Sequence, residues 1–422
     1  MNQIPLYQIF FDQKDIQAIT EVIKSGRNWA NGPAINQFES EIAKFLNRRY
    51  AVTFNSGTSA LIAILIAYGI KPEDEIIIPS FTFVATANVI SLLGAKPVFV
   101  DIENQTYGID ADLVAKKITS KTRAIIPVHY GGCPCLKITE LTKICRQFNL
   151  LLIEDAAESF GAEINHKKVG TFGQASMFSF CQNKIITTGE GGAAVTDNYQ
   201  IYTRLLAIRA PAEDTHTNKT VYNRLAETPA IYGGDESKRL KRDRGVSDKK
   251  LTTWGFPQDS FKLAKENPGL QSGEAYNWRM PTMLAALGLS QLTKINSIIK
   301  RRRDKANYYS LGLKAIKGIK PWVIPAKLSP TYQMYTIRVG NNLRNKLGQY
   351  LGNYGIDTKV YFKPIHLSKL FSQRYSFKKG SLPITEAVSR EVLTLPLYPT
   401  LPKSDIDKIV FYIRKFMAVN YE

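Results

Sequence analysis

Leu150-Leu151-Leu152-Ile153-Glu154-Asp155-Ala156-Ala157-Glu158 is an apolar run that stops at two acids and continues into small residues. Aliphatic residues in succession, without alternation, suit a strand covered on both faces by crossover helices. The acids fall where such a strand would emerge. Burying a carboxylate is costly unless it meets a charged or hydrogen-bonding partner. Either Glu154 or Asp155 caps a following helix, or one of them faces a cation.

The pattern repeats on both sides. Short β-branched runs at 51–54, 76–78, 98–100, 124–128, 177–180 and 192–196 alternate with amphipathic stretches such as 136–148. This predicts an α/β fold with a mostly parallel sheet. In such sheets ligands bind beyond the carboxyl ends of the strands, so the residues after each run are the ones to inspect.

Further out the pattern changes. Residues 211–275 are rich in turn formers and hold the basic run Lys238-Arg239-Leu240-Lys241-Arg242-Asp243-Arg244, which suits a long surface excursion. Helices are expected from Thr282 through Leu292 and on to about Ser310. From about Trp322, short strands and helices suggest a smaller α+β domain, closed by a helix over 404–417 with Ser404 as N-cap. The expected division is 1–310 for an N-terminal segment and large α/β domain, and 311–422 for the small one.

The 422 residues, 44% hydrophobic, can bury a sizeable core. The longest apolar run, 61–67, is far shorter than the roughly 20 residues that span a bilayer. No basic-then-apolar leader opens the chain. A cytoplasmic protein with no membrane partner is expected. Four cysteines fit neither a disulfide framework nor a zinc spacing, so no metal is expected. The net charge of +20 favours anionic partners. No nucleic-acid-binding signature accompanies it, which directs attention to phosphorylated small molecules.

Four strand ends carry chemistry. Asn55-Ser56-Gly57-Thr58-Ser59 follows the first run, where free N–H groups of Thr58 and Ser59 at a helix start would cradle a phosphate; an ordinary N-cap is the alternative. Pro79-Ser80-Phe81-Thr82-Phe83 follows the second, and its aromatic is either core or a flat face for a ring. Asp155 ends the run quoted first. Ser179-Phe180-Cys181-Gln182-Asn183-Lys184 precedes Gly189-Glu190-Gly191-Gly192. A lone lysine is by default a surface residue, but glycines beside it imply a tight path near a ligand, and a lysine held there can form an imine with an aldehyde. Phosphate cradle, aromatic plate, buried acid and lysine together are what pyridoxal 5′-phosphate (PLP) requires.

With these segments in place, the chain resembles the DegT/DnrJ/EryC1/StrS family of sugar aminotransferases, of the aspartate-aminotransferase-like fold type I. The resemblance also rests on Ile4-Pro5-Leu6, Gly32-Pro33 before Phe38-Glu39, Tyr276-Asn277-Trp278-Arg279-Met280, Ala285-Ala286-Leu287-Gly288, Pro364-Ile365-His366 and Leu395-Pro396-Leu397. It implies that Gly57, Thr58 and Ser179 hold the cofactor phosphate, that Phe83 stacks on the ring, and that Asp155 pairs with the ring nitrogen. It implies that Lys184 binds PLP covalently and acts as the base. Glu158 falls where the family usually has Gln or His, near the ring hydroxyl. Asn277 matches a residue that reaches the phosphate in the neighbouring subunit, which implies a homodimer. Arg279 and His366 resemble residues lining the sugar-nucleotide side. The implied reaction moves an amino group from L-glutamate to a nucleotide-linked keto sugar; a PLP-dependent sugar dehydratase or a non-catalytic regulatory relative are the alternatives. Dehydratase relatives carry His where Lys184 stands. Two departures bear on the substrate: Cys181 replaces a common His, and Arg209-Ala210-Pro211 replaces Arg-x-His-Gly.

Overall fold

The structure is a computed structural model that describes residues 3–210 and 275–421. The polar excursion and its basic run therefore lie outside the described residues, apart from Ala275.

Two helices open the chain, α1 (Gln13–Lys24) and α2 (Pro33–Leu46). Asp12 caps α1 in a reciprocal capping box with Asp15, so two orphan N–H groups are satisfied at once. Then come β1 (Tyr50–Phe54), α3 (Gly57–Ala67), β2 (Glu75–Pro79), α4 (Ala85–Leu92), β3 (Lys96–Val100), α5 (Ala111–Ala115), β4 (Thr122–Ile125), α6 (Ile138–Gln147) and β5 (Leu151–Asp155). The short strands β6 (Glu163–Ile164) and β7 (Lys167–Lys168) precede β8 (Ala175–Ser179), β9 (Gly192–Thr196) and α7 (Tyr199–Arg209). After the excursion come α8 (Thr282–Thr293) and α9 (Ile295–Leu313). The C-terminal region holds β10 (Ile319–Lys320), β11 (Leu328–Ser329), β12 (Tyr335–Val339), α10 (Arg344–Asn353), α11 (Lys369–Tyr375), α12 (Pro383–Glu391), β13 (Val392–Leu395) and α13 (Lys403–Asn420).

The large sheet has seven strands in the order β1-β9-β8-β5-β4-β2-β3. β9 runs antiparallel to both of its neighbours, while the remaining pairs are parallel. All strands but β9 thus point the same way, and their carboxyl ends form one edge. Strand periodicity decides the packing: Met177 faces a core with Leu61, Ile64 and Leu205, while Phe178 faces another with Phe38, Ile42 and Ile298. A third core joins Ile77 and Ile125 of this sheet to Ile337, Leu347 and Ile409 of the C-terminal region. That region is built on the sheet β10-β12-β13. Helix α9 runs through the expected boundary at residue 310 and packs on α13.

Two expectations need correction. The last helix begins at Lys403 and ends at Asn420, with Pro402 at the cap and no side-chain cap bond, so Ser404 is not its N-cap. Proline fixes φ and has no N–H to satisfy, so it starts a helix without a hydroxyl cap. The run expected at 124–128 is shorter as a strand. It ends at Ile125 and touches β5 again only through a bridge from Val128 to Asp155. No helix among the described residues is long and apolar enough to cross a membrane.

Candidate active site

Gly57 begins α3 directly after β1. The N-cap is Ser56, whose hydroxyl accepts from Ser59 N at 3.0 Å. The N–H of Ser59 is therefore occupied, which corrects the expectation that it is free. The N–H groups of Gly57 and Thr58 remain in the first turn, where no intrahelical acceptor exists. A Cβ on Gly57 would lie 3.0 Å from Ser179 Cβ and 3.1 Å from Met177 Sδ. Lack of a side chain at Gly57 is what lets the start of α3 meet the end of β8. Gly192 closes the third side, since a Cβ there would lie 2.5 Å from Gly57 N.

Asp155 ends β5 and is buried. Thr86, in the first turn of α4, donates to its Oδ2 at 2.8 Å, and Ala157 N donates to Oδ1 at 3.2 Å. Burial pushes this carboxyl above its usual range, against the lowering effects of Thr86, Ala157 N, Lys184 and His129. Such a carboxylate gains from a cation that approaches it.

Glu154, one residue earlier, points to the other face. Its Oε1 accepts from Phe172 N (2.7 Å) and Gly173 N (2.8 Å), and its Oε2 from Gly170 N (2.7 Å) and His129 Nε2 (3.1 Å). His129 Nδ1 accepts from Cys135 N at 2.9 Å, so Nε2 carries the proton. Burial raises the Glu154 carboxyl, but the His129 contact and the N–H groups of Gly173 and Gly170 outweigh it and leave it lowered. Glu154 thus ties down the 170–173 turn. No helix follows β5 directly, so the helix-capping reading fails for both acids.

Lys184 lies in the loop from β8 to β9 and its side chain is only 15% exposed. Its Nζ is 3.8 Å from Glu158 Oε1. Glu158 Oε2 accepts from Gly131 N at 2.8 Å. Gln333 donates through Nε2 to the carbonyl of Asn183, beside the lysine. Phe83 is 61% exposed and Phe81 is fully buried, so the core aromatic of this segment is Phe81. Phe83 presents a free face at the same edge, 6.4 Å from the Phe362 ring.

The other expected residues are placed less centrally. Asn277 is exposed. Its neighbours are pinned: Tyr276 N donates to Ile208 O, Trp278 N to Arg209 O, and Asn55 N to Trp278 O. Arg279 is half-buried in the same segment. Arg209 is buried and donates to Glu39 Oε1 at 2.5 Å. His366 is buried. It is 0% exposed, with Nδ1 2.7 Å from Ser80 Oγ and Nε2 3.3 Å from Glu386 Oε1. With these contacts it latches the C-terminal region to the end of β2. Thr86, His129, Gly131 and Gln333 were not singled out from sequence. Only Thr86 had a signal there, a hydroxyl in the first turn after a buried strand.

This donor set fits PLP. The cradle at Gly57, Thr58 and Ser179 suits a phosphate, Asp155 a pyridinium nitrogen, and Lys184 an aldehyde. A sheet of this order, with a lysine and an acid at the carboxyl ends of its strands, is that of the PLP-dependent enzymes of fold type I. The chain belongs to the DegT/DnrJ/EryC1/StrS aminotransferase family, whose model matches residues 10–414. It is 30% identical to the GDP-perosamine synthase of Escherichia coli O157:H7, over 99% of this chain and 100% of that one. It is 31% identical to the UDP-4-amino-4-deoxy-L-arabinose–oxoglutarate aminotransferase of Shewanella sediminis, over 98% of each chain. Its fold is similar to that of Helicobacter pylori PseC, an aminotransferase of pseudoaminic acid biosynthesis, with a TM-score of 0.81, 25% identity, and coverage of 99% of this chain and 100% of that one.

Proposed function

We propose that this enzyme moves an amino group from L-glutamate to a nucleotide-linked keto sugar. The observation that carries the reading is Lys184, little exposed and facing the carboxyl edge where Asp155 and the Gly57–Ser179 cradle also end. The names of the relatives support the substrates: two include GDP- or UDP-linked amino sugars, and one includes oxoglutarate, the keto acid that glutamate becomes. The excess positive charge suits an acceptor with a diphosphate.

Bound PLP supplies the electron sink for the carbon that loses or gains a proton. The chain supplies the rest. Gly57 and Thr58 N–H with Ser179 Oγ would hold the phosphate, and Phe83 would cover one ring face. Asp155, kept ionised by the cation it pairs with, would hold a proton on the ring nitrogen. Lys184 Nζ would first bind the cofactor and then, once displaced by the donor amine, carry the proton between the two carbons. Asn277 would complete the phosphate site of a second subunit in a homodimer.

The test is a half-reaction. Protein loaded with PLP is mixed with L-glutamate, and 2-oxoglutarate and the cofactor's visible absorption are followed, with Lys184→Ala alongside. Stoichiometric 2-oxoglutarate with bleaching in the wild type alone is expected, after which a panel of keto-sugar nucleotides identifies the acceptor. A wild type that binds PLP but releases no 2-oxoglutarate would overturn the donor, and amination of none of the panel would overturn the acceptor class.

A further inference from the structure

Behind the loop that carries Lys184 lies a cavity of about 10 Å³. Its walls come from residues 182–185 and Thr187 of that loop, residues 7–10 of the N-terminal segment, Gln291 of α8, Arg302 of α9 and Pro399. A space of that volume takes about one particle the size of a water molecule. No acid among the described residues lines it, but two cationic residues do. Lys184 has its Nζ 3.8 Å from Glu158 Oε1, so its charge already faces a carboxylate.

Arg302 has no such partner. It is 3% exposed, and its Nη1 donates to Tyr332 O (3.0 Å), Leu397 O (3.1 Å) and Gln333 O (3.4 Å). Those carbonyls satisfy one nitrogen with partial charges. Nε is buried and meets no acceptor among the described residues. Burial lowers the guanidinium to about 10, so it still carries its charge at neutral pH. A buried charge is costly unless an opposite charge meets it. Two other donors on the wall are already engaged: Gln291 Nε2 donates to Phe10 O and Asp15 Oδ2, and Thr187 Oγ1 to Phe180 O. A water in the cavity would accept from Nε but leave the charge unmatched.

We propose that the cavity is a binding site for one small monatomic anion of the chloride class, held by Arg302 between α9 and the Lys184 loop. The anion neutralises the guanidinium and braces the base of the loop against α9 and the N-terminal segment. Neither Asp155 nor Gly57 lines the cavity, so the inference stands apart from the aminotransferase reading.

The test uses the full-length protein loaded with PLP. Crystals are grown with sodium bromide in place of chloride, and anomalous differences are measured at the bromine edge. A peak within hydrogen-bonding reach of Arg302 Nε is expected; water alone at that place overturns the proposal. Thermal midpoints are then read in sodium chloride and in sodium gluconate at equal ionic strength, since gluconate is too large for the cavity. Chloride at tenfold its dissociation constant should raise the wild-type midpoint by about 2–4 °C. A bromide peak without that rise is binding at crystal concentration only, and overturns the proposal. Arg302→Met should abolish the chloride effect, and a rise that persists in it is a general salt effect that overturns the site. Should Arg302→Met fail to fold, Arg302→Lys, which keeps a charge but has no Nε donor, takes its place and should lessen the rise.

Discussion

Thr86 Oγ1 donates to Asp155 Oδ2 at 2.8 Å and joins the first turn of α4 to the end of β5, 69 residues further along the chain. The bond favours the ionised carboxylate, in opposition to the burial that raises it. A hydrogen bond to a charged group contributes about 1.5–3 kcal/mol. In Thr86→Val the acid limb of the glutamate half-reaction should move up by about one pH unit, since one unit corresponds to about 1.4 kcal/mol. An unmoved limb would mean that Thr86 does not tune Asp155.

Asp155→Asn separates stability from activity. In the free protein this carboxyl is raised, so the unfolded chain gives up the proton more readily than the folded one. Asp155 then opposes folding increasingly as pH rises through its folded value. The Asn variant should unfold at the same temperature as the wild-type apoprotein or higher at pH 7, while its half-reaction slows by about 100-fold or more. Calorimetry without PLP, beside single-turnover kinetics with it, checks both.

Glu154→Gln should behave in the opposite way. The Glu154 carboxyl is lowered, so its stabilisation is present above the unfolded value and is lost as pH falls through the folded one. An amide nitrogen also places donors against donors among Gly170, Phe172, Gly173 and His129. We expect a loss of about 3 kcal/mol at pH 7, narrowing toward acid pH, in urea unfolding.

Gly57→Ala should strike the phosphate cradle. The added methyl meets Ser179 Cβ at 3.0 Å and Met177 Sδ at 3.1 Å. Overpacking of this kind costs about 1–3 kcal/mol. Thermal midpoints with and without PLP should show a smaller gain from cofactor than in the wild type.

His366→Ala should act on stability and not on the acceptor. It leaves Ser80 Oγ and Glu386 short of a buried partner, at a cost of about 1–3 kcal/mol each. Denaturant unfolding should show that loss while the KM for an accepted sugar nucleotide stays within about twofold of wild type, as expected where binding contacts are untouched. A large change in KM alone would return His366 to the substrate side.

The strand ends were legible because a parallel sheet with both faces covered leaves uninterrupted aliphatic runs, as at Ile76-Ile77-Ile78 and Leu151-Leu152-Ile153. That pattern located Asp155, Gly57 and the Lys184 loop. It could not say which of Glu154 and Asp155 faces the site, because that depends on which side each residue takes along β5. Nor could it show that His366 is sealed behind Ser80 and Glu386, contacts 286 and 20 residues away. Gln333 escaped for the same reason, since it reaches the Lys184 loop from 150 residues further along.

The loop that carries Lys184 is the turn of a hairpin. β8 and β9 are paired from Ala175 with Thr196 to Ser179 with Gly192, Phe180 N to Gly191 O and Thr188 N to Phe180 O continue across the hairpin, and Lys184 N to Cys181 O closes a turn within the loop. The ends are brought together by adjacent strands, so little loop-closure entropy opposes its order. Gly57 and Asp155 belong to other elements, the start of α3 and the end of β5, while Ser179 ends the hairpin's own β8. In the proposed reaction, travel of the amine between carbon atoms would thus be left to the lysine's own four-carbon arm, swinging from a stitched base over a fixed floor. Lys184→Arg would leave the floor undisturbed but remove the amine, since a guanidinium forms no imine, so in the proposed reaction the motion that the chemistry needs would be confined to a single side chain.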